Sequence, residues 1–167
     1  HILSYACLLV LAPPRCRFFD AELANAITWF GQQTLAWTRE AFEAEGVRVL
    51  YGDTDSIFVA LAADADREQA LAHADSLRAA VQARIAERVR SAYAVEPALE
   101  LELDKLYDRY FQPSLRTSAQ GSKKRYAGLV GSHVEVVGLE AVRRDWPRVA
   151  RRLQLGMLER WFHDLPV

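Results

Sequence analysis

Apolar residues recur along this chain with two different periods, and each change of period marks an element. Leu23, Ile27, Phe30, Leu35, Trp37, Ala41 and Phe42 fall roughly at helical spacing, the pattern of one helix face. Asp20 stands where a side chain can cap the first turn, and Gly46 where the chain can leave the last. A long, mostly buried helix is expected between them. Residues 47–51 and 56–60 are short β-prone runs joined by Gly52, Asp53, Thr54 and Asp55, which predicts a tight hairpin with acidic side chains at its tip. After a polar interval around Asp64, Leu71, Ala74, Leu77, Val81, Ile85 and Val89 line one face of a second helix. Leu99, Leu101 and Leu103 then alternate with Glu100, Glu102 and Asp104, predicting a half-buried strand with an acidic face. Residues 123–130 and 134–137 read as a strand pair turned by Gly131, Ser132 and His133. Pro147 suits the first turn of a last helix running toward Phe162. The order helix, hairpin, helix, strands, helix predicts an α+β fold, with helices packed on one face of an antiparallel sheet.

Composition adds one asymmetry. The 167 residues are about half apolar, enough for one ordinary core or a core with a small appendage. The net charge of -1 neither requires nor excludes a polyanionic partner. Its distribution is more informative: residues 53–104 hold 11 acids against 5 basic residues, whereas residues 105–152 hold 11 basic residues against 4 acids. An acidic segment followed by a basic one accompanies nucleic-acid contact. Cys7 and Cys16 are too few for a disulfide framework or a zinc site and suit a reducing cytoplasm, where two buried apolar thiols are expected. Residues 2–12 are apolar but lack a basic flank and are too short to span a bilayer, so no membrane partner is expected. His1 at the start and Val167 within a helical pattern give both ends the look of cut ends. His73, His133 and His163 are isolated, as surface residues are.

The hairpin carries the candidate chemistry. Two carboxylates one residue apart at a tight turn repel unless a cation lies between them, and an all-oxygen site of this kind suits Mg²⁺ or Mn²⁺. Asp and Gly are also ordinary turn residues, so Asp53 and Asp55 alone do not decide between the two readings. The full string Tyr51, Gly52, Asp53, Thr54, Asp55, Ser56 is identical to the motif C hairpin of family B DNA polymerases. Lys123, Lys124, Arg125 and Tyr126, followed by Ala127 and Gly128, resemble the Lys-Lys-Arg-Tyr element that follows motif C in that family. Further similarity lies in Cys16 to Asp20, in Leu101 to Lys105 and in Gly138 to Trp146, and it is greatest to the bacterial polymerase II branch. The resemblance covers about Arg15 to Trp161.

That resemblance implies template-directed transfer of a deoxynucleotide from a dNTP to a primer 3′ end, with two Mg²⁺ (or Mn²⁺) ions in the complete site. It implies an end of the fingers over residues 1–19, a palm over 20–137 and the start of a thumb from 138. Asp55 becomes the carboxylate shared by both ions, Asp53 a weaker partner, and Tyr51, Gly52, Thr54 and Ser56 the supports of the hairpin. Glu102 and Asp104 become accessory acids on a strand facing the hairpin, or a solvated strand face. Lys123, Lys124, Arg125 and Tyr126 would hold the primer–template duplex, although a basic run is also a common way to protect a strand edge. Arg143, Arg144, Arg148, Arg151 and Arg152 would meet phosphates, or else form a salt-bridged helix face.

The implied partners are primer–template DNA, dNTP, the remaining polymerase domains and a sliding clamp on the parent, with a cytoplasmic, nucleoid-associated location. The isolated chain is expected to be inactive, since the family's motif A aspartate lies upstream of this segment. A non-catalytic palm and thumb remnant that only holds duplex DNA is the alternative. The pattern fails at the start: where the family has Asn-Ser-x-Tyr-Gly, this chain has Ser4, Tyr5, Ala6, Cys7 and Leu8. A frameshift or gene-fragment boundary within residues 1 to about 14 is the expected cause.

Overall fold

The structure is a computed structural model describing residues 10–62, 66–115, 118–121 and 124–166, without the side chains of Asp53, Leu115 and 118–121. Expectations for Ser4 to Leu8, Asp64 and Lys123 therefore lie outside the described residues. The chain divides into two compact units, one from His1–Leu61 with Ser76–Leu101, the other from Ala62–Asp75 with Glu102–Val167.

In the first unit, helix α1 (Ala21–Ala44) starts where Asp20 accepts a hydrogen bond from the Leu23 amide at 2.9 Å, satisfying one of the free donors of the first turn. It lies against the hairpin of strands β1 (Arg48–Asp53) and β2 (Ser56–Ala60). Ala41 meets Val81 and Ile85 of helix α2 (Arg67–Tyr93), with Phe42, Val89 and Leu101 around them. Val81 and Ile85 are fully buried, each contributing about 1.5–3 kcal/mol.

Expectations fail here in several places. Helix α1 is not mostly buried: Ala24, Trp37, Thr38 and Ala41 are buried, whereas Leu23, Trp29 and Phe30 are exposed. Leu71 is likewise exposed on α2, and the Cys16 thiol is only partly covered. Nor do residues 99–103 form a strand. The backbone groups that would build a ladder are taken by side chains of α2 instead. Gln82 Nε2 donates to the Leu99 carbonyl at 2.5 Å and Gln82 Oε1 accepts from the Leu101 amide at 2.7 Å, while Arg78 donates to the Leu101 carbonyl at 3.3 Å. One glutamine amide thus offers a donor and an acceptor, as a neighbouring strand's peptide would.

The second unit is built on an antiparallel sheet of order β3-β6-β7, from β3 (Arg109–Phe111), β6 (Tyr126–Val130) and β7 (His133–Val137). A small hairpin, β4 (Ser114–Leu115) with β5 (Ser118–Gly121), precedes β6. The strand expected over 123–130 starts only at Tyr126, because Lys124 has a positive φ of 56° and turns the chain. Successive residues of a strand face opposite sides. Phe111, Ala127, Leu129, Val134 and Val136 therefore share one face, where helix α3 (Arg148–Phe162) adds Leu158 and Phe162, and Leu139 closes the cluster. Arg109 forks onto Asp164 just beyond α3, with 2.7 and 2.6 Å contacts.

Tyrosines occupy the opposite face. Tyr126 lies 5.6 Å from Tyr110 and 6.4 Å from Tyr107 between ring centroids. The Tyr107 ring covers Gly128 so closely that a methyl group there would overlap it. Its hydroxyl donates to Glu135 Oε2 at 3.0 Å, and Lys105 Nζ donates to the same carboxylate at 2.9 Å.

Lys105, and then Tyr107, hold the Glu135 carboxyl below the usual glutamate range, while burial and Glu135 push the Tyr107 hydroxyl up. A carboxyl whose folded pKa is depressed contributes stability that is complete above its unfolded value of about 4.3 and lost as pH falls through the folded value. Glu135→Gln is therefore expected to lower stability at pH 7 by about 1 kcal/mol, measured by urea unfolding. The difference from the unsubstituted chain should shrink as the pH is lowered below about 4; a deficit that stays constant through acid titration would contradict this.

The α+β class is borne out: among the described residues, helices pack on small antiparallel sheets. No helix among them is long and apolar enough to cross a membrane.

Candidate active site and nucleic-acid interface

The acidic hairpin forms as the sequence predicts. Its register pairs Val49 with Val59, Tyr51 with Phe58, Gly52 with Ile57 and Asp53 with Ser56, leaving Thr54 and Asp55 as a two-residue turn. A bulge at Leu50 separates the first two pairs, which increases local twist. The Tyr51 and Phe58 rings pack across the strands, 5.6 Å between centroids. Thr54 adopts a φ of 56°, a conformation that costs a β-branched residue about 1–3 kcal/mol. Asp55 is exposed, and its Oδ1 accepts a hydrogen bond from Ser56 Oγ at 3.2 Å. A solvated, oxygen-only donor at a turn fits Mg²⁺ or Mn²⁺. Among the described residues, no three His, Cys, Asp or Glu gather into one group.

Glu102 and Asp104 are exposed and lie in a segment without regular structure, not on the strand expected for them. They belong to the second unit, Asp55 to the first.

The basic element is held tightly. Lys124 is exposed in the turn, Arg125 is half-buried and ion-paired to Glu140, and Tyr126 opens β6 among the tyrosines. Gly138 approaches the turn from the end of β7: it has a φ of 62°, and a methyl group on it would overlap the Lys124 carbonyl oxygen. Of the arginines before and on α3, Arg143 forks onto Asp145 at 3.0 and 2.6 Å and holds that carboxyl below its ordinary range. Among the described residues, Arg144, Arg148 and Arg152 make no ion pair; Arg148 and Arg152 flank Val149 and Leu153 along an open groove. The sequence reading passed over Glu140 and Gln154, whose only signal is an acid and an amide set among basic residues.

Four non-glycine residues among those described have positive φ: Thr54, Ala94, Lys124 and Asp164. Ala94 and Asp164 follow the last turns of α2 and α3, where that conformation is the usual way out of a helix. Thr54 takes the positive φ that the first residue of a two-residue hairpin turn requires, without being the glycine or asparagine that usually supplies it, and Lys124 takes it in the turn before β6; each sits in one of the two candidate motifs. Strained backbone concentrates at functional sites.

The acidic two-residue hairpin tip belongs to the first unit, the clamped basic turn and the arginine-bearing helix to the second. Residues 11–165 match the model of DNA polymerase family B, and the chain belongs to that family. Within it, the chain is 40% identical over 161 residues to DNA polymerase II of Escherichia coli (strain K12), covering 94% of this chain and 20% of that protein. It is 31% identical over 147 residues to DNA polymerase 2 of Aeropyrum pernix, covering 87% of this chain and 15% of the relative. Among solved structures, the family B DNA polymerase of the hyperthermophilic archaeon Pyrobaculum calidifontis superposes with a TM-score of 0.54 at 29% identity, over 92% of this chain and 16% of that one. The chain thus spans a fifth or less of the length of these relatives.

Proposed function

We propose that this chain is the part of a DNA-directed DNA polymerase that carries half of the primary metal site and the first contacts with duplex product. One observation carries the reading: the string from Tyr51 to Ser56 folds as a two-residue hairpin with the Asp55 carboxylate exposed at its tip. Asp55 would be the ligand shared by two Mg²⁺ or Mn²⁺ ions, with Asp53 beside it. When bound, those ions stabilise the attacking and leaving oxygens of an in-line phosphoryl displacement.

The chain's own residues position and neutralise. Ser56 steadies the Asp55 carboxylate, the Tyr51–Phe58 pair stiffens the ribbon beneath it, and Gly52 and Thr54 shape the turn. Glu102 and Asp104 are accessory acids of the same reaction. Lys123, Lys124, Arg125 and Tyr126 belong to the element that holds primer–template DNA through its backbone, without reading sequence. Arg143 and Arg144 stand at the entry to the thumb helix. The palm extends over residues 20–137 and the thumb begins at 138. The dNTP, the motif A aspartate, the remaining domains and a sliding clamp complete the assembly, in a bacterial cytoplasm at the nucleoid.

The chain by itself lacks the rest of the metal shell, so no nucleotide incorporation is expected from it at any Mg²⁺ concentration. A primer-extension assay on the purified 167 residues checks this, and product that disappears in Asp55→Asn would overturn it.

A further inference from the structure

Three side chains link the basic turn to α3. Arg125 pairs with Glu140, whose other carboxylate oxygen accepts from Gln154 Nε2 at 2.9 Å, while Gln154 Oε1 accepts from the Ala141 amide. Gln154 lies on α3, Glu140 on the one-turn 3-10 helix Glu140–Val142, and Arg125 immediately before β6. Both ends of the Gln154 amide are therefore engaged. Gln154 first, and Arg125 with it, keep the Glu140 carboxyl below its usual range. The turn is gripped on its backbone side as well, because the Lys124 carbonyl sits where a side chain on Gly138 would have to go.

A guanidinium that is half-buried and matched by an internal carboxylate is poorly placed to grip a solvent-side phosphate. Its Nε is buried without a hydrogen-bond partner among the described residues, so the group is wedged in place. Lys124, Arg148 and Arg152, by contrast, are exposed.

We infer that Arg125, Glu140 and Gln154 form a positioning relay that fixes the Lys124 turn against α3. The cations of the turn and of the helix then meet a nucleic-acid backbone at a set spacing, and Arg125 serves as a strut, not a phosphate ligand. This inference rests on the proposed duplex-holding role.

The test uses the 167-residue chain, a labelled primer–template duplex and fluorescence anisotropy over a salt series, with hydrogen exchange on the same proteins. Glu140→Ala removes an acid from a basic surface, which on charge alone strengthens DNA binding. The relay predicts the opposite sign: affinity falls about five- to tenfold. The charge-neutral Gln154→Leu should fall by a similar factor, and Arg125→Gln combined with Glu140→Ala should cost no more than either alone. Exchange should rise at Ala141 and around Lys124 to Tyr126 while the β6–β7 core stays protected.

Tighter binding in Glu140→Ala, or additive losses, would show Arg125 to be a direct ligand and overturn the relay. Unchanged exchange in Gln154→Leu would overturn it without reference to DNA. Absence of duplex binding by the unsubstituted chain, with Lys124→Ala equally inert, would instead sink the duplex-holding reading, and exchange alone would then decide the relay.

Discussion

Asp55→Asn in a full-length polymerase carrying this segment is expected to lower primer extension by about a thousandfold or more, since the charge lost is worth several kcal/mol in the transition state. The substitution keeps the shape of the side chain and an oxygen that can accept from Ser56, but removes the negative charge that an ion would need. Because Asp55 is exposed, the thermal midpoint should barely move; surface changes of this kind fall within about 0.5 kcal/mol. Activity and stability therefore separate, which distinguishes a metal ligand from a turn residue. Asp53→Asn should cost less than Asp55→Asn. A variant at position 55 that retained a tenth of the unsubstituted rate would remove the metal assignment.

The second large effect is on stability. Gly138→Ala is expected to destabilise the chain by about 2–4 kcal/mol, the sum of a positive-φ penalty and a steric overlap. The overlap is with the backbone carbonyl of Lys124, which cannot swing aside as a side chain could. Gly131 offers a built-in control: its φ is 61°, close to the 62° of Gly138, but a methyl group there meets nothing within 4 Å. Gly131→Ala should cost only about 1 kcal/mol, the conformational part alone. Urea unfolding of the two variants measures the difference, and equal losses would contradict the close packing of Gly138 against the turn.

Much of this architecture was legible in advance where the signal is local. Asp20 caps α1, Pro147 immediately precedes α3, and a Gly-Asp-x-Asp string between β-prone runs made the hairpin. The failures are non-local. Strand β3 is three residues long and exists because Phe111 pairs with Ala127, sixteen positions away, which no local pattern announces. The alternation at Leu99 to Leu103 was a genuine period of two, yet a strand also needs a partner edge, and Gln82 took that place.

Periodicity identified the apolar face of α1 without saying what covers it, and Leu23, Trp29 and Phe30 stay exposed. The site divides the same way. Asp55 and Lys124 were visible as motif residues. Glu140 and Gln154 were not, because an acid and an amide acquire their meaning only from what they touch.

The positive φ shared by Thr54 and Lys124 has a chemical consequence. Ribosomal synthesis offers only one enantiomer of each side chain, and at these two positions it is the less comfortable one. A mirror-image residue would relax into the same backbone, since inversion at the α-carbon exchanges the favoured and disfavoured halves of the φ axis. Peptides carrying D-threonine at 54 or D-lysine at 124 would keep the native bend without its tension, separating the shape of each motif from the stress under which the natural chain holds it.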